Sequence, residues 1–402
     1  MLWAQKPQKY AIIRINIPKP SYINDYMNIA VLLSGGVDSS VSLRLLHEQG
    51  HRVTAFYLKI WLEDELAFLG DCPWDEDLRY ARAVCEQIGV ELKVVSLQKE
   101  YWDYVVSYVI DEVKAGRTPN PDVFCNKQIK FGMFLEYLNR EHAGEFDKIA
   151  SGHYAHIEYE GARARLMQTP DPIKDQTYFL SYLTQEQLQE LVFPIGRLAK
   201  HEVRALAQQF DLPNKDRKDS QGICFLGKLK FSDFIKQYLG EKKGDMIEVE
   251  TGEIKGSHNG FWFYTIGQRQ GLGLGGGPWY VVAKDAQANR IYISKDYHAD
   301  DKQRDTFIVH NMHWISGKAT QKMKLEVKLR HGAHKHACVI NPTDDGRYLV
   351  QLASRDQGIA AGQFAVFYDG DECLGAGIIE QAFDQLPHQR EAAHLSGKFP
   401  QA

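Results

Sequence analysis

Ile29-Ala30-Val31-Leu32-Leu33-Ser34-Gly35-Gly36-Val37-Asp38-Ser39-Ser40 is the stretch that decides the fold. Its first five residues are apolar and mostly branched, the composition of a strand buried on both faces. Val41, Leu45 and Leu46 then recur at helical spacing. A strand that passes through a Gly/Ser turn into a helix brings backbone N–H groups and the positive helix end to one point. Ser34, Ser39 and Ser40 add hydroxyl donors there, so the point suits a phosphate or pyrophosphate. The turn contains no Lys, which separates it from G-x-x-x-x-G-K-[ST], and its glycines do not follow G-x-G-x-x-G. A bare turn needs neither Asp38 nor three serines, whereas an anion cradle beside a metal ion uses both.

Outward from this loop, strand and helix patterns alternate from Asn28 to about Ser151. Strands are expected at 53–58, 92–95 and 148–150, a helical face at Leu78, Ala81, Cys85 and Ile88, and helices around Trp102–Val113 and Ile129–Leu138. The two prolines of Thr118-Pro119-Asn120-Pro121-Asp122 forbid regular structure between the last two helices. The expected fold class is α/β: a doubly wound parallel sheet whose ligand sits at the carboxyl ends of the strands. A hairpin follows, then helices at 185–192, 200–210 and 231–239. Between Arg197 and Lys243 eleven Lys/Arg face six Asp/Glu, a local basic patch that includes Lys215, Arg217 and Lys218. Beyond Gly244 ten short alternating segments, among them 262–265, 279–282 and 374–380, predict an antiparallel barrel.

The chain has 402 residues, enough for two or three domains, and its net charge of −4 confines any nucleic-acid surface to a local patch. No apolar run reaches membrane-spanning length and no secretory signal is evident, so no membrane association and a cytoplasmic location are expected. The six cysteines are scattered, with no C-x-x-C, and read as cytosolic thiols. Cys85, Cys338 and Cys373 lie on helix or strand faces and read as small core residues. Cys125 follows a Pro-rich turn at a helix start, where the dipole favours a thiolate, and Cys224 sits in the polar loop Asp219-Ser220-Gln221-Gly222-Ile223-Cys224-Phe225.

Ser34–Ser40 resembles the loop of the ATP pyrophosphatase superfamily, enzymes that activate a carbonyl with AMP and release pyrophosphate. The match narrows once more motifs are taken together. Thr118–Asp122 with Cys125-Asn126, Gly152-His153-Tyr154-Ala155, Lys174–Leu180, Asp219–Phe225, Tyr264–Arg269 and Gly362–Tyr368 are similar, in order, to the tRNA-specific 2-thiouridylases. That resemblance implies ATP- and Mg²⁺-dependent thiolation of C2 of the wobble uridine in the tRNAs for Lys, Glu and Gln, with sulfur from a cysteine desulfurase or relay protein. It implies ATP contacts at Ser34, Gly35, Gly36, Val37, Asp38, Ser39, Leu58 and Gly152, Leu58 standing where the pattern often has Met. It also implies target-base contacts at Asn120, Pro121 and Asp122, and tRNA contacts at His153, Lys174, Asp175, Gln176, Arg330 and Gln363. Cys224 becomes the persulfide carrier, Cys125 the partner that releases the sulfur as a disulfide forms, and Asp122 a proton relay.

The implied domains are an extension at 1–27 expected to be disordered, an ATP-binding domain at 28–160, a central tRNA-binding domain at 161–243, a barrel at 244–387 and a polar tail at 388–402. An alternative chemistry enlists Cys72 with Cys125 and Cys224 as three thiolate ligands of an iron–sulfur cluster whose open iron carries sulfide. Alternative functions are another ATP-activating thiolase or ligase, or an RNA-binding protein with a silent nucleotide loop.

Overall fold

The computed structural model describes residues 26–60, 73–219, 230–297 and 304–382. Strands β1 (Asn28–Leu32), β2 (Arg52–Lys59), β3 (Leu92–Ser96) and β4 (Lys148–Ala150) follow the apolar runs of the sequence. They form a parallel sheet of order β3-β2-β1-β4, extended at the β4 edge by a two-residue strand at Leu191–Val192. The helix expected over 185–192 therefore stops at Gln189, and Leu191-Val192 pairs with Ile149 and Ala150 instead. Two consecutive apolar residues satisfy a helix face and a buried strand equally well, and the sheet edge decides between them.

Both faces of this sheet are covered, as a parallel sheet requires. Ile29, Val31, Ala55 and Tyr57 pack on one side with Leu43, Leu46 and the helix Pro73–Ile88. Ala30, Leu32 and Phe56 pack on the other with Val105, Val109, Ile129 and Phe134. The order of the strands places the carboxyl ends of β1 and β4 side by side, and the β1 end runs directly into helix α1 (Val37–Glu48).

The C-terminal strands divide into two sheets. Gly244–Glu248, Ile254–His258, Tyr280–Asp285 and Arg290–Ser294 make a four-stranded sheet of their own. The segment 262–265, expected as a strand, begins in the short 3₁₀ turn Phe261–Phe263. The remaining strands, from Arg304–Trp314 to Glu372–Ala382, close on themselves through pairing of the first with the last. Closure leaves no unpaired edge in this six-stranded antiparallel barrel. The hairpin His156–Glu160 and Arg163–Met167 joins the barrel too, through Glu372 and Cys373. The segment between the sheet and the central helices thus ties the two ends of the chain together.

Candidate functional site: an anion cradle at the carboxyl end of the sheet

Gly36 caps α1 without a side-chain acceptor, so its first-turn amides are left to an external partner. Gly35 has φ +76, and a Cβ there would lie 2.2 Å from the Asp77 carbonyl oxygen, so only glycine fits. Gly152 approaches from the end of β4, where a Cβ would come within 2.6 Å of the Ser39 nitrogen. Both glycines keep the cradle open to backbone contact. Ser39 Oγ and Ser40 Oγ each donate to the Gly36 carbonyl, at 3.0 and 2.9 Å, which fixes the turn. Leu58 lies two residues beyond Phe56, the β2 partner of Leu32, and so at the same end of the sheet.

Asp38, the second residue of α1, receives the Tyr154 hydroxyl at 2.9 Å and the Lys200 ammonium at 2.7 and 2.9 Å. Lys200 also lies 2.8 Å from Asp219, which is held by Lys174 at 2.8 Å and by Arg204. Partial burial alone would raise the Asp219 carboxyl, but Lys174 and Lys200 together hold it well below the usual carboxylate range. Tyr154 shows the reverse: desolvation first, then the neighbouring Asp38, raises its hydroxyl far above the ordinary tyrosine value. It is therefore a permanent donor to Asp38. Behind the loop, Asn214 donates to the Gly35 carbonyl at 2.8 Å and to Ser40 Oγ at 2.9 Å, and Arg217 donates to Gly35 at 3.0 Å while pairing with Asp77. Of the basic patch, Arg217 is thus committed to the nucleotide loop, and Lys215 pairs with Asp211, while Lys218 is exposed.

The second part of the site is a continuous helix over 121–141. Pro121 occupies its first position after Asn120, and Cys125–Met133 take π geometry. Gln187 donates to the carbonyls of Lys127 and Phe131 at 2.9 and 3.0 Å, satisfying acceptors along this wider ladder. Gly132 is needed there, since a Cβ would stand 2.8 Å from the Lys127 carbonyl. Cys125 is 0% exposed, packed in the core with Val123, Ile129 and Tyr101. The expectation of a dipole-favoured thiolate is corrected by this burial: desolvation raises the thiol's pKa despite the nearby Lys130 and the Tyr101 hydroxyl. Lys130 also acts on His153, whose ring desolvation pushes well below the ordinary histidine range, leaving it neutral. The Asp122 Oδ1 atom is buried without a hydrogen-bond partner, an orphaned acceptor near Cys125.

The other expected residues are distributed as follows. Gln176 accepts from the Tyr154 amide at 2.9 Å and Lys174 binds Asp219, so both support the Asp38 network. Asp175 is 1% exposed and pairs at 2.7 Å with Lys328 of the barrel, which corrects its expected place on a tRNA-facing surface. Pro121 is buried as well, beneath the helix start. Asn120 bonds Tyr178, whose hydroxyl donates to the Phe364 carbonyl at 3.0 Å. Gln363 donates at 2.7 Å to the Thr118 carbonyl, fastening the Pro-rich turn to the barrel. Arg330 grips Asp356 in a two-pronged pair at 3.1 and 2.9 Å and keeps over half of its side chain exposed. Cys72 and Cys224 lie outside the described residues. Among the described residues no group of three or more His, Cys, Asp or Glu could hold a metal, and no helix is long and apolar enough to cross a membrane. Nothing in the local sequence marks Lys200, Tyr154, Asn214 or Asp219 as residues of the loop's surroundings. Each is far from the loop in the chain, and the packing of Val203 and Leu206 on Val41 and Leu45 brings the helix Lys200–Gln209, with Lys200 at its start, to the loop.

A parallel sheet with a Lys-free anion cradle at its first strand–helix junction defines a nucleotide-using enzyme of the pyrophosphate-loop class. Family models match residues 27–228 (tRNA methyl transferase HUP domain), 232–295 (tRNA methyl transferase PRC-barrel domain) and 304–379 (aminomethyltransferase beta-barrel domain). The tRNA-specific 2-thiouridylase MnmA of Parabacteroides distasonis is 46% identical over 359 residues, covering 88% of this chain and 99% of that protein. MnmA 2 of Bacteroides fragilis is 46% identical over 88% of this chain and its own full length, and MnmA of Porphyromonas gingivalis is 44% identical over 88% and 99%. The chain belongs to the tRNA-specific 2-thiouridylases. Among solved structures, a 4-thiouridine synthetase–RNA complex with bound ATP is 16% identical, with a TM-score of 0.31 over 53% of this chain and 50% of that one.

Proposed function

We propose that this protein is a tRNA-uridine 2-sulfurtransferase that uses ATP to replace the C2 oxygen of the wobble uridine with sulfur. The observation that carries this reading is the cradle of Gly35, Gly36 and the α1 amides, with the helix that carries Asp122 and Cys125 packed through Phe131 on His153 just beyond β4, in a chain 46% identical to a named 2-thiouridylase. The C2 oxygen is a poor leaving group, and adenylation with loss of pyrophosphate makes it a good one. Ser34–Ser39 and Gly152 hold the phosphates by backbone and hydroxyl donors, and Leu58 packs on the adenine. Asp38, a part-exposed carboxylate beside the cradle, is the residue that would hold Mg²⁺, which when bound would supply charge neutralisation for the departing pyrophosphate.

Asn120 and Asp122 face the target base, and His153, Lys174, Gln176, Arg330 and Gln363 belong to the tRNA-binding surface. Asp122 is an orphaned acceptor and therefore a fitting proton relay. Cys224 carries a persulfide and Cys125 attacks its bridging sulfur, so that a Cys125–Cys224 disulfide forms as sulfur passes to C2 and AMP leaves with the oxygen. Cys125 is protonated and enclosed in this conformation, so the π segment must rearrange before it attacks. The substrates are the Lys, Glu and Gln tRNAs, the sulfur comes from a cysteine desulfurase or relay protein, and the reaction takes place in the cytoplasm. The nucleotide domain, the central helices and the barrel divide the work into activation, tRNA binding and tRNA positioning. The test is a serine scan. Cys224→Ser should adenylate tRNA and accept no labelled sulfur, while Cys125→Ser should take up label yet make no 2-thiouridine. Full thiolation by either variant would exclude the two-cysteine route.

A further inference from the structure

The loop at Ser34–Ser40 has no lysine of its own, yet an ammonium stands at it. Lys200 opens the helix Lys200–Gln209, whose start is fixed by Glu202 on the Ala199 amide at 2.7 Å and by Asp171 on the Lys200 amide at 3.2 Å. Val203, Leu206 and Ala207 of that helix pack on Val37, Val41 and Leu45 of α1. The packing directs Lys200 to the first turn of α1, where its side chain is 15% exposed and its three donors are shared between Asp38 and Asp219.

We propose that Lys200 is a phosphate-binding residue of the ATP site, parked on Asp38 and Asp219 until nucleotide arrives. This rests on the reading of the loop as an ATP site. A purely structural counterion would be irreplaceable to its carboxylates, because removing one partner of an enclosed pair leaves an uncompensated charge. Here Asp219 does not depend on Lys200, and Asp38 is part-exposed to solvent, which limits the cost of losing its ammonium. Asp38 keeps the Tyr154 hydroxyl, and Asp219 keeps Lys174 and Arg204. The ammonium is therefore free to leave at small cost. It is also a compact charge on a flexible stem, suited to turn from a carboxylate toward phosphate oxygens beside it. While parked, it cancels the repulsion that Asp38 would exert on an incoming phosphate. With Lys200 turned to phosphate, the Asp38 carboxylate would be available to hold a metal ion.

The experiment is calorimetric binding of pyrophosphate and of adenosine to the full chain, with and without Mg²⁺. Lys200→Gln should weaken pyrophosphate by about tenfold or more, the usual scale for losing a charge-assisted hydrogen bond, and leave adenosine unchanged. Asp219→Asn frees Lys200 of one carboxylate and should tighten pyrophosphate several-fold. Equal pyrophosphate binding by Lys200→Gln, or equal loss of pyrophosphate and adenosine, would overturn the assignment, as would no tightening by Asp219→Asn. Absence of pyrophosphate and ATP binding by the unaltered protein would instead overturn the ATP-site reading and this inference with it.

Discussion

The thiol of Cys125 lies one turn beyond Pro121, where the helix dipole lowers a thiol's pKa and enclosure among Tyr101, Val123 and Ile129 raises it. Desolvation prevails, because the dipole acts through a few tenths of a charge while complete burial removes the thiolate's hydration. Cys125 should therefore alkylate slowly with iodoacetamide at pH 8 in the free protein and markedly faster with tRNA and ATP bound. Peptide mass spectrometry reads the two rates, and equal rates would remove the required rearrangement. The sign of the pH effect follows from the same shift. A thiol whose folded pKa is raised above 9.0 contributes stability that is complete below that value and is lost as pH climbs from it through the higher folded value. Cys125→Ala should flatten that alkaline loss in urea unfolding. The local sequence made the polar neighbours of Cys125 legible, and its burial was not, since that is set by Tyr101 from another helix.

Among the elements, the segment Lys174–Thr177 connects the barrel to the nucleotide loop. Lys328 enters from the barrel to bind Asp175 at 2.7 Å, with both side chains at 1% exposure or less, while Thr177 bonds both Asp175 and Tyr368. The flanking Lys174 and Gln176 reach Asp219 and Tyr154. Lys328→Met alone should cost about 3–5 kcal/mol in urea unfolding, since Asp175 is left as an uncompensated buried charge. Lys328→Met with Asp175→Leu should recover much of that loss, and a double variant no better than the single one would show that the pair is not a unit. From sequence, Lys174-Asp175-Gln176 reads as one polar motif with one role. The structure splits it by side-chain direction: Asp175 turns to the barrel, its neighbours to the site. Helix and strand existence was legible wherever an apolar period ran long, as in β1, β2 and Phe231–Leu239. It failed at Leu191-Val192 and at 262–265, where short apolar runs fit either state and distant partners choose.

For the molecule as a whole, the open parallel sheet and the closed barrel share one connection that sequence spacing hides. The hairpin at His156–Met167 follows the nucleotide domain in the chain but hydrogen-bonds the last barrel strand. Likewise, evenly spaced strands beyond Gly244 carry no mark of where one sheet ends and the closed barrel begins. The order of the nucleotide sheet was legible because β1 leads directly into a loop of recognisable chemistry. With a net charge of −4, tRNA affinity must arise locally and should fall steeply between low and physiological salt. Lys218→Glu, an exposed change, should weaken tRNA binding without altering ATP binding, whereas Arg217→Glu should impair both, because Arg217 holds the Gly35 carbonyl. Filter binding and calorimetry separate the two.

Nucleoside mass spectrometry of a reconstituted reaction reads ATP-driven sulfur transfer to tRNA. The purified chain, unmodified Lys, Glu or Gln tRNA, Mg²⁺, ATP and a cysteine desulfurase system should yield 2-thiouridine at the wobble position with one AMP per thiolation. Asp38→Ala should yield neither 2-thiouridine nor AMP. Thiolation that proceeds without ATP, persists in Asp38→Ala, or falls on another nucleoside would exclude ATP-driven thiolation of the wobble uridine.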